Sequence, residues 1–168
     1  MKTLYIHGLD SFPVPEKIKI MEEAGLSVIS MHLDYRRQPD AYEILKIEAM
    51  EKNTAVLVGS SLGGMLAFWL AEDLGLPCLL FNPAMDIGKD VDLKIPEITK
   101  RECPMRYVVL GEYDDSVDPA NNLRLFKKWE RDDLDQKVLS CHWLGHQIDF
   151  DTFGGMVGWF VHGLGERA

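Results

Sequence analysis

The sequence predicts an α/β fold: a mainly parallel, six-stranded sheet flanked by helices. Three observations carry that expectation. Six short apolar runs of strand length are separated by helix-compatible stretches, the β-α-β-α alternation that feeds a parallel sheet through right-handed crossovers. One of these runs, residues 55–58, breaks at Gly59 into Ser60-Ser61-Leu62-Gly63 and then a helix-compatible stretch at 65–74, so strand, sharp turn and helix follow directly. The composition, 46% apolar and 27% charged over 168 residues, is that of one globular domain with a sizeable core.

In chain order, residues 3–6 form strand one and stop at His7-Gly8-Leu9-Asp10-Ser11-Phe12-Pro13, a loop of turn formers. Residues 16–24 space Ile18, Met21 and Ala24 along one helical face, with Gly25 as the stop. Residues 26–33 are strand two. After Pro39, Asp40 is placed to cap a helix to about Lys52 with a broad apolar face. Residues 55–58 are strand three, and the helix at 65–74 carries the chain away. Residues 77–81 make a short buried strand four, followed by Asn82-Pro83. Residues 84–105 mix charges with isolated apolar residues and two prolines, and are expected as a small cap within the single domain 1–168. Strand five is 106–110. A helix runs from Pro119 to about Arg131, strand six is 137–143, and a last helix spans about 150–163.

Several function classes are disfavoured. The net charge is −9 and no Lys/Arg run exceeds two, so nucleic acid and anionic lipid are not expected partners. No apolar span approaches the roughly 18 residues a membrane helix needs, and a strand within three residues of Met1 leaves no room for a signal peptide. Three cysteines without C-x-x-C spacing point away from a disulfide framework or zinc site and towards reduced thiols in the cytoplasm. The expected partner is a small molecule, with no cofactor and no metal; oligomeric state is not readable.

The chemistry is expected just beyond the carboxyl ends of the strands. Gly59-Ser60-Ser61-Leu62-Gly63 is a G-x-S-x-G elbow, whose turn is tight enough to require glycine two residues to each side of the serine. The pentapeptide alone arises by chance in roughly one chain in twenty of this length. Its position between strand and helix makes Ser61 the candidate nucleophile. Among five histidines, His146 follows the last strand and is the candidate base; His142 is expected inside that strand as a core residue, His162 on the surface, and His32 on the wrong loop. Asp114, in the loop after strand five, is the candidate acid, with Asp115 its near rival and Asp86 a further one. Asp118 reads better as the cap of the next helix. Turns gather aspartates simply because they solvate well, so this choice stays open.

The order Ser61, Asp114, His146 is that of α/β-hydrolases. Backbone N–H groups of Leu62 and Leu9 are the candidate oxyanion donors, and Gly8 would let the chain approach a substrate closely. Phe12, Met85 and Ile87 are candidate lining residues. Trp69 and Trp159 are expected in helix packing.

Tyr5-Ile6-His7-Gly8-Leu9-Asp10-Ser11, Gly59-Ser60-Ser61-Leu62-Gly63-Gly64, Asn82-Pro83-Ala84 and Gly145-His146 resemble the small bacterial α/β-hydrolase esterases of the YqiA/YcfP-like, UPF0227-type group. The resemblance covers nearly the whole chain. It implies a minimal α/β-hydrolase fold, a cytoplasmic location, and carboxylesterase or thioesterase activity on short acyl groups. The expected function is a serine hydrolase acting on short to medium acyl esters or thioesters through Ser61, His146 and Asp114. The alternative is a catalytically silent hydrolase-fold binding or interaction protein.

Overall fold

The structure is a computed structural model that describes residues 1–86 and 91–167. Its elements are β1 (Lys2–Ile6), α1 (Pro15–Glu23), β2 (Ser27–Ser30), α2 (Ala41–Glu51), β3 (Val56–Ser60), α3 (Leu62–Leu74), β4 (Cys78–Phe81), β5 (Met105–Gly111), α4 (Pro119–Lys128), β6 (Asp135–Cys141) and α5 (Phe150–Glu166). The six strands form one all-parallel sheet in the order β2-β1-β3-β4-β5-β6.

Side-chain parity builds a core on each face. Successive strand residues point to opposite sides. Accordingly Tyr5, Val56, Val58, Leu79, Phe81, Tyr107 and Val109 pack with Met21 of α1 and Phe153, Val157 and Phe160 of α5. Leu4, Ile6, Leu57, Leu80, Val108 and Leu110 face the other way, onto Leu45 of α2, Leu66 and Phe68 of α3, and Phe126 of α4. Strands covered on both faces need apolar residues at nearly every position, which is why β3 and β4, and β5 apart from Arg106, read as near-continuous apolar runs rather than alternating ones.

Element boundaries depart from expectation where tertiary contacts intervene. β2 is shorter than 26–33: its pairing with β1 ends at Tyr5↔Ser30, and the Leu33 N–H then donates to His7 Nε2 at 3.0 Å instead of continuing a ladder. β6 ends at Cys141, opposite the last residue of β5, so His142 lies exposed on a turn and not in the core as expected. Asp40 occupies the cap position of α2 but makes no side-chain cap bond. Helix α3 starts three residues earlier than its apolar pattern suggested, and Gly63 and Gly64 fill its first turn. Among the described residues, no helix is long and apolar enough to cross a membrane.

The described part of the β4 to β5 connection forms neither helix nor strand. It lies along the α3 side of the core, where Val91 and Cys103 are buried and the Glu102 N–H bonds to the Glu72 carbonyl at 3.0 Å. Here the fold buries charge. Glu72 and Arg106 are both fully inaccessible and meet at 2.9 Å, Arg131 reaches the same carboxylate at 3.1 Å, and the Arg106 guanidinium lies 4.7 Å from the centre of the Phe68 ring.

Candidate active site

The site grows from the turn between β3 and α3. Ser61 sits at φ 53° and ψ −120°, a conformation that costs a non-glycine residue on the order of 1–3 kcal/mol. Three backbone bonds over-determine it: the Ser61 N–H donates to the Phe81 carbonyl at 2.9 Å, and the Ser61 carbonyl accepts from Met65 at 3.1 Å and Ala84 at 2.9 Å. The flanking glycines are obligatory for space. A Cβ on Gly59 would fall on the Gly63 carbonyl, and one on Gly63 would fall on the carbonyls of Ile6 and His7.

The loop after β6 brings His146 to this turn. His146 Nε2 lies 3.1 Å from Ser61 Oγ, and Nδ1 lies 3.0 and 2.9 Å from the two carboxylate oxygens of Asp114. An ionised carboxylate only accepts, so Nδ1 carries the proton and leaves Nε2 free to accept from the serine hydroxyl. The Asp114 side chain is 1% exposed and that of His146 19%. Asp114 Oδ1 also accepts from the N–H groups of Ser116 at 2.9 Å and Val117 at 2.8 Å, which fixes the carboxylate's position before the imidazole is added. Its rivals are placed elsewhere. Asp115 is exposed and accepts from Ser116 Oγ, Asp118 caps α4 through the Ala120 N–H, and Asp86 is exposed beside the site.

Asn82, which follows β4, holds the two loops in register. At φ 40° and 2% exposed, it donates through Nδ2 to the carbonyls of Gly145 (2.9 Å) and His146 (3.1 Å), while its Oδ1 accepts from the Gly111 N–H (2.8 Å). Sequence reasoning assigned Asn82 no role; an asparagine just past a buried strand was the available signal.

The loop after β1 closes the other side. A Cβ on Gly8 would lie 3.3 Å from Ser61 Cβ, so the backbone runs directly against the serine. Among the described residues, no hydrogen bond occupies the N–H of Leu9 or of Leu62. His7, which precedes Gly8, is 1% exposed; its Nδ1 donates to the Gly8 carbonyl at 2.7 Å, its Nε2 accepts from Leu33, and its carbonyl accepts from the Tyr35 hydroxyl at 2.8 Å. Burial holds its pKa below the usual histidine value, so it is a neutral scaffold for this loop.

Two hollows meet at Ser61 and His146. The smaller, about 100 Å³, is lined by residues including Tyr5, Gly8, Ser11, Lys17 and Ser60. The larger, about 300 Å³, is lined by residues including Leu62, Ala84, Asp86, Val91 and Val117. Leu9 lines both. Phe12 is 58% exposed and lines neither. Met85 packs partly buried against the α3 side of the core, and Ile87 lies outside the described residues. Trp69 packs on Phe68 and Trp129, and Trp159 on Tyr107. His32 is exposed and stacked on His7, and His162 is exposed near Glu166. Among the described residues, no group of three or more His, Cys, Asp or Glu side chains is placed to hold a metal.

Residues 2–117 match the model of an uncharacterised protein family, UPF0227. The chain belongs to this family. The UPF0227 chain also shares the α/β-hydrolase fold with solved structures. It is similar to a protein described as a hydrolase of the α/β superfamily from Xanthomonas campestris pv. campestris, with 19% identity, a TM-score of 0.70 and 98% of each chain covered. It is similar to a monoacylglycerol lipase from Paleococcus ferrophilus, with 15% identity, a TM-score of 0.67, and 96% of this chain and 94% of that one covered. It is also similar to Est1E from Butyrivibrio proteoclasticus with ferulic acid bound, with 13% identity, a TM-score of 0.72, and 96% and 88% covered. At these identities the likeness establishes the fold, and the chemistry has to be argued from the side chains.

Proposed function

We propose that this protein is a cytoplasmic serine hydrolase that cleaves carboxylic esters or thioesters of short to medium acyl chains. One observation carries the reading: His146 stands between Ser61 Oγ and both oxygens of Asp114, within hydrogen-bond reach of each. His146 takes the serine proton as Oγ attacks the carbonyl, and Asp114 stabilises the imidazolium that forms. The N–H groups of Leu62 and Leu9 receive the tetrahedral oxyanion, an interaction that typically lowers such a barrier by about 3 kcal/mol. His146 returns the proton to the departing alcohol or thiol. Water, deprotonated by the same imidazole, then releases the acid and restores Ser61. The two hollows beside the serine, of about 100 and 300 Å³, suit acyl and alcohol groups of a few carbons.

Turnover of 4-nitrophenyl acetate and butyrate by the native protein, lost in Ser61→Ala, is the expected result. Equal turnover in the variant would remove Ser61 as nucleophile. No turnover of any acyl ester or thioester, together with no labelling by a fluorophosphonate, would leave a hydrolase-fold binding protein instead.

A further inference from the structure

The smaller hollow contains a charge that the hydrolysis of a plain ester does not use. Lys17 lines it, is only 8% exposed, and makes no hydrogen bond or ion pair among the described residues; its ammonium rests 5.2 Å from the centre of the Phe153 ring. A largely buried lysine without an anionic partner among the described residues is costly, which makes this position informative. Burial also pushes its pKa down, as expected of a cation whose charge is incompletely compensated.

Two hydroxyls line the same hollow. Ser60 Oγ is buried and has no hydrogen-bond partner among the described residues. The Tyr5 phenol lines it beside Ser60, and burial pushes it up to about 12 against a smaller opposing pull from the Ser60 side chain. The start of α1 adds to the positive side: Val14, at its cap position, also lines the hollow and provides no side-chain cap for the first-turn N–H groups. Lys17, which has no acceptor among the described residues, and the Tyr5 phenol thus line one hollow with Ser61. A hollow of about 100 Å³ has room for a small group such as a carboxylate.

We propose that this hollow receives a small anionic group such as a carboxylate, held by Lys17 with the hydroxyl of Tyr5. The natural substrate is then an ester or thioester with a negative charge a few bonds from its scissile carbonyl. This substrate class rests on the reading of Ser61 as nucleophile. The charge can belong to the acyl half or to the alcohol half, and the two are separable by experiment.

The test compares charged and neutral esters of matched length on the native protein and on Lys17→Met. The acyl-side pair is mono-4-nitrophenyl glutarate against 4-nitrophenyl pentanoate, with spontaneous hydrolysis subtracted. The alcohol-side pair is O-acetyllactate against O-acetyllactamide. In at least one pair the charged ester is expected to exceed its neutral partner about 10-fold or more in kcat/KM, the range of one charge-assisted hydrogen bond, with Lys17→Met reducing that ratio by a similar factor. A ratio of one or below in both pairs, or a ratio unchanged by Lys17→Met, overturns the proposal. Calorimetric titration of Ser61→Ala with glutarate separates the two readings. Glutarate binding that depends on Lys17, without turnover of any ester, means that the hydrolase reading has failed and the anion site stands. Turnover without charge preference, and no Lys17-dependent glutarate binding, means the reverse.

Discussion

Replacing Glu72 by alanine should destabilise the fold far more than an ordinary helix substitution. Glu72 lies on α3 and is fully inaccessible. Its carboxylate accepts from Arg106 Nη1 at 2.9 Å and from Arg131 Nη1 at 3.1 Å. The two arginines respond differently to its loss. Arg131 is 21% exposed and can turn to water, so its share is about 0.5 kcal/mol. Arg106 is 0% exposed, lies against both the Phe68 and the Phe126 rings, and among the described residues already has one unpartnered nitrogen, Nη2. It cannot rehydrate without opening the core, and breaking such a pair from one side costs about 3–5 kcal/mol. At about 2–4 °C per kcal/mol for a domain of this size, Glu72→Ala should lower Tm by about 10 °C. Replacing both Glu72 and Arg106 by methionine should recover most of the loss, because the cost lies in the abandoned charge and not in a missing attraction. Thermal melts by circular dichroism, with urea titrations of the same variants, read both effects. A drop below about 2 °C for Glu72→Ala, or a double variant worse than the single, would refute this account.

Two further outcomes are expected. Asp114→Asn removes the acceptor that fixes the His146 tautomer, so kcat on 4-nitrophenyl butyrate should fall on the order of 10³ to 10⁴-fold with KM little changed, measured by steady-state kinetics; Asp115→Asn should stay within about threefold of native. His7 provides a pH dependence of stability. Its folded pKa lies below the unfolded value of 6.5, so the unfolded chain binds the proton first and stability falls as pH drops from about 6.5 towards the folded pKa. The urea midpoint should therefore be lower at pH 5.5 than at pH 7.5, and this difference should shrink in His7→Asn.

Which parts of this protein were legible in one dimension follows from how local each signal is. Strand and helix identity come from apolar period, and β3, β4 and β5, Arg106 aside, are largely apolar because both their faces are covered, a demand that acts residue by residue. The elbow around Ser61 was equally plain, since glycine at 59 and 63 is required by carbonyls within a few residues or on the adjoining strand. Strand-end placement brought forward His146 and the aspartates of the loop after strand five, because a parallel sheet gathers the loops at one rim.

Other features depended on partners far away in sequence. The end of β2 was set by a side chain 26 positions upstream, where His7 takes the Leu33 N–H. Asp114, and not Asp115, reaches His146 because its carboxylate turns inward, held there by the N–H groups of Ser116 and Val117. Asn82, the Glu72 and Arg106 pair and Lys17 are polar residues whose surroundings come from burial, and burial belongs to the whole packed chain. Composition and spacing determined the sheet, the elbow and the rim; only the folded molecule decided which polar groups would be removed from water, because that requires surfaces that no short window of sequence contains.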